Sequence, residues 1–163
     1  MRSVEFVPFI LTETADIYSI RIDGNIDSEL NKFLITFKDT RNEYLQRDFW
    51  EIISTIQKMS NDGIKEIHFR PESKFYDRVC ALPIYTIARN STQGTLRLYC
   101  IRISDKILIL GGGGVKKTRT YEEDEELLEK VKTLQNIDKV LLALENDGVD
   151  LYSAMINLKI SIL

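Results

Sequence analysis

The sequence predicts an α+β fold: a helical hairpin packed on an antiparallel β-meander, with a C-terminal helix. Three observations carry that reading. Apolar residues between Asp27 and Gly63 recur every three to four positions, which is helical spacing. Between Val79 and Leu110 the period changes to strand-like runs broken by turn residues. From Thr120 to Gly148 the helical period returns behind a dense acidic start. At 163 residues, 44% hydrophobic and 9% aromatic, the chain is long and apolar enough for one domain, 1–163, with a real core, and is not a disordered polymer.

The elements follow in order. "VEFVPFIL" and "DIYSIRIDG" read as two strands joined by a polar connection at Thr12–Ala15, so residues 1–24 form an N-terminal strand extension. Asp27 or Ser28 caps a helix that puts Leu30, Phe33, Leu34 and Phe37 on one face. A second helix carries Tyr44, Leu45, Phe49, Ile52, Ile53, Ile56 and Met59, with Gly63 as its stop. "IKEIHF" reads as a short extended piece that Pro71 breaks. "VCALPIYTIAR" is a strand in which Pro83 suits an edge or a bulge, "NSTQG" a turn, "TLRLYCIRI" a strand, Ser104-Asp105 a tight turn and "KILIL" a buried strand. Thr120 with Glu123 fits a capping box, and Glu122 to Glu125 sit where the helix dipole favours anions, so this acid run reads as a helix start and not as a metal site. Leu127, Leu128, Val131, Leu134, Ile137, Val140, Leu141 and Leu144 form the apolar face of that helix, with a break admitted at Gln135-Asn136. The tail 148–163 either packs on the domain or docks on a partner.

Several classes are excluded. No apolar run approaches the roughly eighteen residues of a membrane span, and the N-terminus lacks a secretory cleavage pattern, so a cytoplasmic protein is expected. Cys80 and Cys100, the two cysteines, lie in apolar strands and read as buried free thiols. The net charge of -3 hides an asymmetry, because Ile64 to Tyr121 holds eleven basic residues against four acidic ones. An acidic chain with a basic middle suits a polyanion-facing patch.

The stretch "LILGGGGVKKTRTYEEDEEL" is the sharpest local feature. A P-loop needs a second glycine directly before Lys-Ser/Thr; aligned on Lys117-Thr118, that place holds Lys116. The preceding strand closes a meander and does not open a βαβ unit, which also excludes a dinucleotide fingerprint. Two readings remain: a flexible strand-to-helix connection, or a close backbone approach beneath something large, with Lys116, Lys117 and Arg119 at the lip.

"LRLYCIRISDKILIL", then glycine, then "VKKTRT", then an acidic helix start, resemble the RelE/HigB group of bacterial toxin–antitoxin toxins. "FRPE" at Phe69–Glu72 followed by "ALP" resembles a subgroup of them, and the likeness covers residues 27–145 as a RelE-like core. The resemblance implies an endoribonuclease that cleaves mRNA, commonly at the ribosome, without metal or cofactor, and is neutralised by a cognate antitoxin, typically a helix-turn-helix protein. It implies catalytic roles for Arg97, Lys117 and Tyr121, and RNA contacts from Arg89, Tyr99, Lys116 and Arg119. Tyr121 stands about two residues early for the family's tyrosine. The chain is longer and more acidic than typical members. Two rivals stay open: a ParE-like toxin that inhibits gyrase by binding it, and a non-enzymatic, phage-derived domain that binds protein or nucleic acid.

The chemistry fits those residue types. Attack by an RNA 2′-hydroxyl builds negative charge on a pentacovalent phosphate, which guanidinium and ammonium groups stabilise. Strand parity puts Leu96, Leu98 and Cys100 on one face, suited to helices, and Arg97, Tyr99 and Ile101 on the other, expected to look outward. Arg102 falls with the Leu/Cys side and reads as structural. The lone His68 reads as a structural or surface residue.

Overall fold

The computed structural model describes residues 1–71, 77–82, 94–117 and 121–163. Its strands are β1 (Arg2–Leu11), β2 (Asp16–Ile22), β3 (Arg70–Pro71), β4 (Val79–Ala81), β5 (Thr95–Arg102), β6 (Ile107–Lys116) and β7 (Lys159–Ile162). Its helices are α1 (Glu29–Phe37), α2 (Glu43–Asp62), α3 (Glu125–Asn146) and α4 (Leu151–Ala154). The α+β class is as the sequence predicts.

The strands form one mixed sheet in the order β3-β4-β5-β6-β2-β1-β7. The β4-β5-β6 meander is antiparallel, as its short connections require. β2 and β6 run parallel, from Asp16↔Ile107 to Ser19↔Leu110. Both helices of the hairpin and strands β3 to β5 lie between those two strands in sequence, the long crossover that parallel pairing needs. The N-terminal segment is therefore more than an appendage: β2 sits inside the sheet, and Ile17, Tyr18 and Ile20 are fully buried. The tail packs on the domain, with β7 pairing antiparallel to β1 from Arg2↔Ile162 to Glu5↔Lys159.

Local chemistry sets the helix ends. Ser28 caps α1 by accepting from the Asn31 amide. Asn42 caps α2 through the Tyr44 and Leu45 amides, and Gly63 stops it at φ 97°, a value that strains any residue with a Cβ. Asp124, not Thr120, caps α3, taking the Glu126 and Leu127 amides after a 3₁₀ turn at Tyr121–Glu123. Thr120 and Pro83 lie outside the described residues. α3 runs unbroken through Gln135-Asn136. "IKEIHF" is not extended: Glu66–His68 is a 3₁₀ turn closed by the His68 amide on Lys65 O and the Phe69 amide on Glu66 O.

Both sheet faces are apolar, and each is covered. α1 and α2 lie over Ile17, Leu96, Leu98, Cys100, Leu108 and Leu110. α3 lies over Tyr18, Ile20, Tyr99, Ile101 and Ile109, meeting them with Leu127, Val131, Leu134, Ile137 and Leu141. Each such side chain contributes about 1.5–3 kcal/mol on burial, so neither face can stay bare. Cys80 and Cys100 are opposite each other in register and both are free thiols. Arg102 is structural, as parity suggests: its Nε donates to Ile64 O at 2.9 Å and its guanidinium pairs with Asp105.

Candidate functional site

The glycine run is neither loop nor hinge. Gly111 to Gly114 lie within β6, and each is pressed by a neighbour. A Cβ on Gly111 would stand 2.8 Å from Leu134 Cδ1, and one on Gly114 would stand 3.3 Å from Leu127 Cδ2. A Cβ on Gly112 would meet the Lys130 stem at 3.3 Å. These three α3 residues are spaced three and four apart, one helix face laid along the glycines. Gly113 points the other way, toward Phe33 of α1. Gly111 and Gly112 thus face the same side. The cause is a bulge: Leu98 pairs with Gly113 but Cys100 pairs with Leu110, leaving two residues opposite Tyr99. The glycines do admit a close approach, but what approaches is α3 and α1 of the chain itself, which neither sequence reading named.

Along the α3 side of β5 and β6 runs a row of the side chains that the sequence singles out. Arg97 pairs with Gly114 and Thr95 with Lys116, so Arg97 and Lys116 project to the same face two residues apart. Tyr99 follows inward, with Tyr121 against it edge to face, ring centroids 6.3 Å apart at 64°. Exposure is greatest at Lys116 and least at Tyr99. Lys116 is half-buried, Arg97 is 6% exposed with its Nε and Nη1 out of contact with solvent, Tyr121 is 8% exposed and Tyr99 is fully buried.

Two expectations are corrected here. The face of Arg97 and Tyr99 does not look outward over an open hollow, because α3 covers it; the sheet presents two apolar faces and the chain supplies a helix for each. Lys117 does not join Arg97. It is exposed, and with Val115 it lies against Gly94, whose Cβ would come within 2.7 Å of Val115 Cγ1 and 3.0 Å of Lys117 Cγ. Val115 belongs to the α1–α2 core, so Lys117 leaves the strand toward that side. The amine that shares Arg97's face is Lys116. Arg89 and Arg119 lie outside the described residues.

Chemically, the row is a graded cation site: an amine near solvent, a guanidinium behind it, and aromatic walls that lower the local dielectric and so strengthen its pull on an anion. Among the described residues no group of three or more His, Cys, Asp or Glu side chains is arranged to hold a metal ion. No helix among them is long and apolar enough to cross a membrane.

His68 lies far from this row in sequence and packs beside α2, in a shallow hollow with Lys58, Asp62 and Lys65. Burial, then Lys58 and Lys65, hold its imidazole below the ordinary value of 6.5, while Asp62 pulls the other way. A depressed folded value favours the neutral ring. Its contribution to stability is therefore complete above about pH 6.5 and is lost as the pH falls through the folded value. His68→Gln is expected to flatten the melting temperature between about pH 5 and about pH 7, read by circular dichroism. An unchanged slope would mean that burial and these lysines do not hold the His68 ring neutral.

Comparison with known protein families, curated proteins and solved structures finds no match for this chain.

Proposed function

We propose that this chain is a RelE/HigB-like toxin, a metal-independent endoribonuclease that cleaves mRNA at the ribosome in the cytoplasm and is neutralised by a cognate antitoxin. The observation that carries the reading is the convergence of Arg97 and Lys116 on one face of the paired strands β5 and β6, beside the Tyr99–Tyr121 pair. It agrees with the resemblance of the "LRLYCIRI…VKKT" segment to that group, and with a helical hairpin that precedes the meander.

In this reading the RNA backbone reaches the end of the β5–β6 ribbon where Thr95 faces Lys116. Lys116 meets the phosphate first, as a point charge. Arg97 lies behind it under α3 and acts as a fixed positive charge that favours the anionic phosphoryl oxygens once the 2′-hydroxyl attacks. Tyr121 sits in the 3₁₀ turn before α3, where its ring borders the same site and its hydroxyl belongs to the class of groups that exchange protons with the reacting oxygens.

The test is induced expression in a bacterial host with transcript mapping. Growth arrest with cleaved mRNA is expected. Lys116→Ala should lower cleavage by about a hundredfold, the usual cost of losing one transition-state cation or donor, with an unchanged melting temperature. Lys117→Ala should have a much smaller effect. Equal losses in both variants would refute the shared-face assignment.

One observation favours a second reading. Arg97 is 6% exposed and Tyr99 is fully buried under α3. A domain that binds protein or nucleic acid, with Arg97 as an internal structural cation, accounts for that burial equally well. Expression without arrest or cleaved transcripts would favour it, and arrest with DNA damage and intact mRNA would favour the gyrase-binding rival.

A further inference from the structure

We propose that the outer face of the α1–α2 hairpin is a docking groove for an amphipathic helix of a partner protein that carries carboxylates along its flanks. This surface lies on the side of the sheet opposite Arg97 and Tyr99, and the inference does not depend on the nuclease reading.

Two hollows flank α1 and share Leu34 and Asn31. One, about 360 Å³, lies between α1 and α2 and is walled by Ile35, Phe49, Trp50 and Ile53. The other, about 200 Å³, lies toward β1 and is walled by Phe9 and Ile26. The apolar groups are presented to solvent: Ile26 is 94% exposed, Ile35 65%, Trp50 52% and Phe9 42%. Apolar side chains scattered singly over a surface need no explanation, but a contiguous set lining a trough between two helices does. Such a trough has the shape that receives the apolar stripe of a third helix, with an aromatic anchor at its centre.

Charge selects the occupant. Lys38 is the sole charged side chain lining the first hollow and Arg21 the sole one lining the second. Among the described residues Lys38 makes no ion pair, and Arg21 reaches Glu5 only at 3.9 Å. Asp27 accepts from Asn31 Nδ2 and lines neither hollow. A second copy of this chain is a poor occupant, because a two-fold interface brings a patch against itself and would set cation against cation. Strand addition to the nearby edge of β1 is also disfavoured, since Pro8 and a bulge between Pro8 and Ile10 interrupt that edge. A helix with glutamate or aspartate beside its apolar stripe satisfies both the trough and its two cations.

Trp50 is the single tryptophan of the chain and reports directly on the groove. The probe is a synthetic helical peptide with leucines at i, i+4 and i+7 and glutamates on both flanks, with a lysine-flanked counterpart as control. Titration into the full-length chain is expected to shift Trp50 emission, and the glutamate peptide should bind about tenfold or more tighter than the lysine peptide. Ile35→Glu, at an exposed position, should weaken binding by about tenfold or more while leaving the thermal melt unchanged. Equal affinity for the two peptides, an unresponsive Trp50, or binding that Ile35→Glu leaves intact would each overturn the proposal. So would sedimentation showing a dimer whose Trp50 is buried, which would make a second copy the occupant.

Discussion

Replacing Gly113 with alanine is expected to destabilise the chain by about 3 kcal/mol or more, or to prevent folding, because the new methyl group has nowhere to go. Built on the existing backbone, that Cβ stands 2.0 Å from the Arg97 carbonyl oxygen and 3.0 Å from both the Arg97 carbonyl carbon and Phe33 Cε2. The closest obstacle is backbone and not the tip of a flexible side chain. Relief therefore requires β5 and β6 to separate where Leu98 pairs with Gly113, in the middle of the sheet. Gly114→Ala is the matched control. Its Cβ meets only Leu127 Cδ2 at 3.3 Å, and a leucine methyl can give by a few tenths of an ångström, so a change within about 1 kcal/mol is expected. Urea unfolding followed by Trp50 emission measures both, and the Gly113 variant should lose roughly 10 °C in melting temperature. Equal stability of the two variants would mean that the strands do not approach so closely.

The same glycines show where sequence reasoning stops. Side-chain alternation reveals a strand, and glycine has no side chain, so four in a row look alike whether they form a loop or a ladder. The run also hides the bulge opposite Tyr99. One extra residue there reverses the parity of everything after it, which is why Lys116, and not Lys117, shares Arg97's face. Where side chains alternate the reading holds: Leu96, Leu98 and Cys100 face α1 and α2, and Arg97, Tyr99 and Ile101 face the other way. What parity cannot tell is whether the second face is open. That depends on α3, whose apolar stripe is plain in the sequence but whose destination is a tertiary fact. The parallel pairing of β2 with β6 was equally hidden, since it joins segments about ninety residues apart with no turn between them to signal it. Caps and stops were the most local signals and the most readable; Ser28, Gly63 and Gly148 act as expected. The exception is the start of α3, where Asp124 takes the capping role.

Arg78→Ala is expected to cost about 3–5 kcal/mol, the range for stranding a buried charge. Asp138, on α3, is fully buried. Its Oδ2 accepts from the Arg78 amide at 3.0 Å and its Oδ1 from Arg78 Nε at 2.8 Å, so one residue at the start of β4 satisfies the carboxylate twice. Arg78 also pairs with Glu145 at 2.9 Å, about two helix turns further along α3. Beside it, Asp77 accepts from Gln135 Nε2 at 3.1 Å. These bonds fix the register of α3 on the face that holds Tyr99 and Arg97. Removing the guanidinium leaves the carboxylate in an apolar layer with, among the described residues, a backbone amide as its partner. Asp138→Ala strands the opposite charge, but the Arg78 side chain is 19% exposed and keeps Glu145, so its cost should be smaller. The double variant should be less damaging than the two single losses added together, and a double-mutant cycle reads that coupling directly. Hydrogen exchange adds a spatial check: in Arg78→Ala the amides of α3 should lose protection before those of β5 and β6, since the helix loses its clamp while the ladder beneath keeps its bonds. A cost below about 1 kcal/mol, or uniform loss of protection across the sheet, would show that apolar contact alone holds α3 in place.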